Sequence, residues 1–370
     1  MRLLLAGGGS GGHVFPGLAV AEAVRRLAPD VQLDWLGARG SIEERLAPAA
    51  GIRLHTIRAG KLNRFVGKET LTNLLRIPIG LVEATALVRR LEPDAILTCG
   101  GFVAVPAGVA SRVTGRPLLA LQQDVEPNLA NRLIAPFARQ VVVAFELSLP
   151  RFPNGRAVAL GNPLRAAIYH GDAELARQRF HLPSGLPLVL VTGGSQGALN
   201  LNRLVLGCLP AVLEHAAVVH LCGQRSVTLV QNAALSLPTG LSARYVWRAF
   251  VDDEMPHLLA AADLVISRAG ASTLSEIAAL GKAALLVPLP AALGRSPQEI
   301  NAEAFRRIGA AVVLREDILT SSTLGDQVVA LLNDSGQRLR LGAAAASLGR
   351  PQAADAVARL LVAIAGRSAR

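Results

Sequence analysis

Long apolar runs are missing from this 370-residue chain: 51% of its residues are hydrophobic and the mean hydropathy is +0.39, yet charges or prolines interrupt every greasy stretch. A membrane-spanning helix needs roughly 18 or more apolar residues in a row, so none is expected. The opening MRLLLA is too short for a signal-peptide core and runs straight into glycines, which reads as a buried first strand and a cytoplasmic protein. Cysteine is scarce. Cys99, Cys208 and Cys222 form no C-x-x-C pair and no zinc-type spacing, which excludes a disulfide scaffold and leaves reduced, mostly buried thiols. Aromatic residues make up only 4% of the chain, leaving few platforms for stacking single strands, and no recognition-helix or RNP-like motif is present. Nucleic acid is therefore disfavoured as a partner. Lysine occurs only at Lys61, Lys68 and Lys282, but the net charge is +11 and the pI 10.9, an arginine-based excess that suits an anionic membrane or a phosphorylated substrate.

What is present is a repeated βα rhythm. In the first half RLLLAG, VQLDWLG, IRLHTI, DAILTCGG, PLLALQQ and QVVVAF read as strands alternating with helices, among them 16–28 with Pro16 at its start and a segment opened by the capping box SIEE at Ser41. The prolines and glycines of LPRFPNGRAVALGNPLR mark a linker over 148–165. The rhythm then restarts with PLVLVTGG, VVHLCG, ARYVW, DLVISRAG, AALLVPL and AAVVL. A chain of this length with this pattern is α/β, two Rossmann-like doubly wound domains with a ligand cleft facing the carboxyl ends of both sheets.

Glycine loops end several of those strands: GGGSGG after the first, TCGGFVAVPAG at 98–108, VTGGSQGALN at 191–200 and SRAGASTLSE at 267–276. Missing side chains let backbone N–H groups approach a phosphate at a helix N-terminus. Gly7, Gly9 and Gly12 fit G-x-G-x-x-G, but a nicotinamide dinucleotide site also needs an acid ending the next strand, and Asp34 sits inside that strand instead. Ser195 offers a hydroxyl in its loop, and Glu276 stands one helical turn after Ser272, where a carboxylate can accept from a ribose diol. Together the loops suggest phosphate-bearing ligands bridging two domains.

GGGSGGHVFPGLAVAEAV, GGFVAVPAG, NPLR, GGSQGALNLN, SRAGASTLSEIAALGKAALLVP and PQEINA, in this order and across nearly the whole chain, resemble the MurG family, the UDP-GlcNAc:lipid I N-acetylglucosaminyltransferases of peptidoglycan synthesis. The resemblance implies a GT-B fold, with 1–162 as the acceptor and membrane domain, 163–347 as the UDP-GlcNAc domain and 348–370 crossing back to the first. It implies donor contacts from Arg165 and Ser195 to the diphosphate, Glu276 to the ribose, Phe250 and the Val251 backbone to uracil, and Ala271, Ser272, Thr273, Leu274 and Ser275 along the nucleotide. Gln298 matches a sugar contact. Ser10, Gly11 and Gly12 approach the donor sugar, while Gly8 and Gly9 hold the acceptor diphosphate.

The implied reaction is inverting displacement of UDP by the C4 hydroxyl of MurNAc in lipid I, which needs charge stabilisation at the diphosphate and a base at the nucleophile. No metal or cofactor is implied; Asp252 and Asp253 read as helix capping rather than as a D-x-D site. His13 follows the loop and titrates near neutrality, making it one candidate base. The family usually reads H-E-Q-N where this chain has LQQD, 121–124, so Asp124 takes the place of a donor-contacting asparagine and is the other candidate, and Leu121 and Gln122 replace a polar pair in the acceptor region. A related GT-B lipid glycosyltransferase or a sugar-nucleotide epimerase is the alternative. The segment 58–90 has seven basic and two acidic residues, with Lys68, Leu75 and Arg76 among its basic and apolar contacts. It suits peripheral docking on anionic lipid at the cytoplasmic face of the cell membrane.

Overall fold

The computed structural model describes residues 1–58, 68–152, 155–194, 197–291 and 297–368, the side chains of 68–77 and 367–368 excepted. The chain divides into two units, Met1–Arg165 with Pro351–Arg370, and Ala166–Arg350.

In the first unit β1 (Arg2–Ala6), β2 (Gln32–Ala38), β3 (Arg53–Ile57), β4 (Ala95–Thr98), β5 (Leu118–Gln122), β6 (Gln140–Val143) and β7 (Ala157–Ala159) form a parallel sheet in the order β3-β2-β1-β4-β5-β6-β7. Alternation along β1 sends Leu3 and Leu5 into one core layer and Leu4 and Ala6 into the other, as a strand buried on both faces requires. Helices α1 (Gly11–Leu27) and α2 (Glu43–Ala49) cover the first face; α3 (Lys68–Leu91), α4 (Ala104–Thr114) and α5 (Leu129–Ile134) cover the second.

Three local expectations fail here. Helix α1 starts at Gly11, so Pro16 lies inside the helix rather than at its start. The segment expected to be a linker carries β7, an edge strand paired with β6 (Val142 opposite Val158), too short and too closely flanked by turn residues to show a strand pattern. The capping box at Ser41 does not form: α2 starts after Ile42 with no side-chain cap, Glu44 accepts from the Gly40 N–H at 3.0 Å, and Glu43 turns inward.

The second unit comprises α6 (Ala173–Arg179), β8 (Leu188–Thr192), α7 (Leu199–Leu213), β9 (Ala217–Leu221), α8 (Val227–Leu235), α9 (Thr239–Ser242), β10 (Tyr245–Arg248), α10 (Met255–Ala261), β11 (Leu264–Ser267), α11 (Ala271–Leu280), β12 (Ala284–Leu286), α12 (Gln298–Arg307), β13 (Val312–Val313), α13 (Ser321–Asn333) and α14 (Ser335–Leu348). Its sheet, also parallel, runs β10-β9-β8-β11-β12-β13. The last helix, α15 (Ala353–Ser368), belongs to the first unit, where Val357, Leu361 and Ile364 pack with Val20 and Val24 of α1.

In each unit the chain reverses its direction of winding beside its first strand, between β1 and β4 and between β8 and β11. Ligands of open parallel sheets bind in the crevice at such a switch point, outside the carboxyl ends of the strands. All four glycine loops follow one of these four strands.

Candidate active site

In the first unit the loops after β1 and β4 are interlocked. Gly101, at φ +80°, lies so close to the Gly8 carbonyl that a Cβ would collide with it, and a Cβ on Gly9 would come within 2.9 Å of the Phe102 ring. Ser10 sits extended at the N-cap of α1, and its hydroxyl is 3.2 Å from His13 Nδ1. The imidazole packs against Gly100, where a Cβ would lie 2.7 Å from Cδ2. Burial pushes the His13 pKa below the ordinary imidazole value, and a hydrogen bond with the Gly8 backbone partly offsets this. The ring is therefore neutral near pH 7. Among the described residues nothing accepts from the N–H groups of Gly11 and Gly12, the first turn of a 17-residue helix and a favourable place for an anion.

The LQQD loop departs from the sequence expectation. Leu121 is buried within β5, packed in the core layer under α1, and Gln122 is 1% exposed. Gln122 Nε2 donates to the carbonyls of Asp124 (2.7 Å) and Glu126 (3.0 Å), and its Oε1 accepts from Asn131 Nδ2 at 2.7 Å. These two residues build the loop rather than line an acceptor region. Gln123 ties the same loop to the one after β4 by donating to the Cys99 carbonyl at 2.9 Å. Asp124 is half-buried on this rim.

In the second unit Gly194 (φ +76°) donates to Thr192 Oγ1 at 3.2 Å, and Gly197 returns a backbone bond to Gly194. Ser195 lies outside the described residues. A network lies beneath this loop. The Asn202 amide donates to the Cys222 carbonyl at 2.7 Å, which leaves its Oδ1 to accept from His220 Nε2 at 3.0 Å. His220 Nδ1 then accepts from the Tyr245 hydroxyl at 2.9 Å. His220 is fully buried, and burial lowers its pKa to about 4. The Cys222 carbonyl that ends this relay abuts Gly197, where a Cβ would lie 2.7 Å from it.

The loop after β11 leads into α11, whose Ala271, Leu274 and Ile277 are buried while Ser272, Thr273 and Glu276 are half-exposed. Ser272 and Glu276 share a face at helical spacing. Leu274, fully buried, can offer a ligand only its backbone, and the Ser275 hydroxyl is spent on the Ala271 carbonyl at 2.7 Å. Phe250 is 45% exposed on the loop after β10, beside buried Val251. α10 begins later than expected, with Glu254 rather than Asp252 or Asp253 at the N-cap and no cap bond from the Glu254 side chain. Gln298 opens α12 and accepts from the Leu289 N–H at 3.0 Å, while Asn301 Nδ2 donates to the Ala269 carbonyl at 3.1 Å, so α12 braces the loops after β11 and β12. Arg165, the last residue of the first unit, holds its guanidinium 4.5 Å over the Phe15 ring of α1. The side chains of Lys68, Leu75 and Arg76 lie outside the described residues.

Sequence reasoning missed Glu43, the His220 relay and the buried ion pair of Arg268 with Glu316, which also accepts from Asn200 at 3.0 Å. The Glu43 carboxyl group is fully buried and accepts from the N–H groups of Ala38 (2.8 Å) and Gly9 (3.3 Å).

The described geometry has counterparts in known proteins. Residues 3–143 match the glycosyltransferase family 28 N-terminal domain and 188–358 the family 28 C-terminal domain. The UDP-N-acetylglucosamine–N-acetylmuramyl-(pentapeptide) pyrophosphoryl-undecaprenol N-acetylglucosamine transferase of Desulforudis audaxviator is 35% identical over 374 residues, covering 100% of both chains. The enzyme of the same name from Salinibacter ruber is 37% identical over 366 residues, covering 99% of this chain and 97% of its own. Among solved structures, Acinetobacter baumannii MurG superposes with a TM-score of 0.74 at 27% identity, covering 98% of this chain and 99% of that one. A Neisseria meningitidis UDP-GlcNAc 2-epimerase bound to UDP-GlcNAc reaches 0.70 at 13% identity, covering 98% of this chain and 100% of that one, a likeness of fold alone. The fold is GT-B.

Proposed function

The chain belongs to glycosyltransferase family 28, in its MurG branch, and from that premise we propose that it transfers GlcNAc from UDP-GlcNAc to the C4 hydroxyl of MurNAc in lipid I, with inversion, giving lipid II. The observation that carries the reading is the open N-terminus of α11, with Ser272, Thr273 and Glu276 half-exposed beside the glycine loop after β8. A sugar nucleotide presents a diphosphate for such N–H groups and a ribose diol for the carboxylate.

In this reading the donor lies on the second unit. Glu276 accepts from the ribose hydroxyls, the exposed Phe250 ring covers uracil, the Val251 backbone bonds the uracil edge, and Ser195 with Arg165 faces the diphosphate. The residues from Ala271 to Ser275 run along the nucleotide, and Gln298, whose Oε1 is engaged by Leu289, keeps its amide N–H groups for the sugar. Charge that builds on departing UDP is stabilised by helix N-termini and Arg165. On the first unit the loop from Gly8 through Ser10 to Gly12 carries the acceptor diphosphate, its Gly9 N–H held from below by Glu43 and the N–H groups of Gly11 and Gly12 left to donate to the ligand.

The attacking hydroxyl must lose a proton. His13 is neutral near pH 7 and so can take it, and Asp124 is the second candidate. A steep loss of turnover in His13→Ala with Asp124→Asn nearly unaffected assigns the base to His13; the reverse pattern assigns it to Asp124.

The acceptor's polyprenyl tail stays in the bilayer, so the enzyme works as a peripheral protein at the cytoplasmic face of the cell membrane. No described helix is long and apolar enough to cross a membrane. α3, α5 and the turn after α5 expose Val82 (68%), Leu129 (60%), Leu133 (49%) and Phe137 (41%), apolar contacts that complement the basic charge of 58–90. Stronger sedimentation with anionic than with neutral vesicles tests the docking. Transfer of labelled GlcNAc to a lipid I analogue, with the product anomer determined and diacylglycerol as control acceptor, tests the reaction. A β-linked product on lipid I alone is expected.

A further inference from the structure

A fully buried carboxyl group with no basic partner among the described residues needs a reason, because burying such a group costs several kcal/mol unless its oxygens are hydrogen-bonded. Glu43 is that group. It opens α2, away from the glycine loops in sequence, yet its side chain runs beneath the loop after β1. One oxygen holds the Ala38 N–H at the end of β2, and the other holds the Gly9 N–H in the loop itself. The two glycines flanking it have room for nothing more. A Cβ on Gly8 would collide with Oε1, and one on Gly37 would lie 2.5 Å from Cγ.

We propose that Glu43 is a positioning residue for the acceptor diphosphate: by binding the Gly9 N–H from below it fixes the loop so that the N–H groups of Gly11 and Gly12 stay turned outward. Gly9 has φ +89°, so the chain reverses there, and the direction of the amides that follow depends on how that turn is held. The interlock of Gly8 with Gly101 and of His13 with Gly100 braces the loop from the β4 side. Glu43 braces it from the β2 side. The carboxyl group does not touch the ligand and takes no part in proton transfer. The inference rests on the reading that the first loop carries the acceptor diphosphate.

Glu43→Gln is nearly isosteric but places an NH2 group against one of the two N–H donors, and Gly37→Ala pushes on Glu43 from β2 without changing a residue of the loop. In Glu43→Gln we expect the KM for a lipid I analogue to rise about tenfold to hundredfold while the KM for UDP-GlcNAc stays within about twofold. Amide hydrogen exchange over residues 8–12 should quicken about tenfold or more in the protein without substrates. Gly37→Ala should shift the same two readouts in the same direction. Unchanged exchange in both variants, or donor and acceptor KM rising together in step with a fall in Tm, would overturn the positioning role. A wild-type protein that fails to glycosylate lipid I would instead overturn the functional reading, and the exchange measurement would still decide whether Glu43 holds the loop.

Discussion

The two units place a glycine loop after their first strand and rest it on opposite chemistry. Under the first loop lies an acidic side chain, Glu43, which accepts from the loop directly and has no basic partner among the described residues. Under the second lies a neutral relay, Tyr245 to His220 to Asn202 to the Cys222 carbonyl, which among the described residues reaches the loop through the backbone that abuts Gly197. Both supports satisfy buried polar groups in full, which is the condition for keeping them at all. The difference is in what each leaves at its loop. The relay is neutral and leaves the field of the helix N-terminus intact. The carboxyl group occupies one amide of its own loop, so the first unit gives up a donor to gain a fixed shape.

The largest way to break the comparison is to silence one unit's ligand contact while leaving the other's scaffold alone. Glu276→Ala removes the carboxylate that we propose accepts from two ribose hydroxyls. The kcat/KM for UDP-GlcNAc should fall about 10²–10³-fold with little change in Tm, as steady-state kinetics and thermal melting will report. Next comes the neutral support itself. His220→Phe fills most of the space but leaves the Tyr245 hydroxyl and Asn202 Oδ1 buried without partners, a loss of about 2–4 kcal/mol. Chemical denaturation should show that loss, and UDP binding should weaken more than acceptor binding.

Acid tests the neutral support without mutation. The folded pKa of His220, about 4, lies below the 6.5 of an unfolded histidine, so between those values the unfolded chain binds more protons. Stability from this group is complete above about pH 6.5 and is lost as pH falls toward about 4, by up to about 3 kcal/mol. His13 shifts in the same direction and adds to the same slope. Denaturation midpoints measured across that window should fall with pH, and less steeply in His220→Phe.

Gln122→Glu tests the rim of the first unit. It sets a carboxylate against the Asp124 and Glu126 carbonyls in place of a donor, which should cost about 1–3 kcal/mol in chemical denaturation and lower kcat as the loop that carries Asp124 shifts. The smallest effect is the common ground of the two units. Cys99 and Cys222 are buried near the two loops and Cys208 is pushed up to about 11, so a thiol reagent at pH 8 should label none of the three until the protein unfolds.

Most of the strands were legible because they are short, largely apolar runs bounded by turn residues, and each of the runs that read as a strand is one. β7 was not legible: three small residues among prolines and glycines make a strand only because β6 is there to pair with them. The helix starts were misread at Ser41 and Asp252 for a related reason. A capping pattern is local, but which acid turns back to the helix depends on what the rest of the chain offers it. At Ser41 the fold offered Glu43 two buried N–H groups and Glu44 the N–H of Gly40.

From its residues alone the chain determined its α/β class, the positions of its four glycine loops and the small-residue start of α11. These follow from patterns within a few residues: strand runs, glycines where backbone must come close, a serine and a glutamate one turn apart. The tertiary structure alone decided the supports. That Glu43 meets Gly9, that His220 meets Asn202 and Tyr245, and that Gln122 meets Asn131 are pairings across strands and helices. A buried polar side chain takes whichever partner the packed sheet brings within hydrogen-bond reach, and no short stretch of sequence specifies that partner.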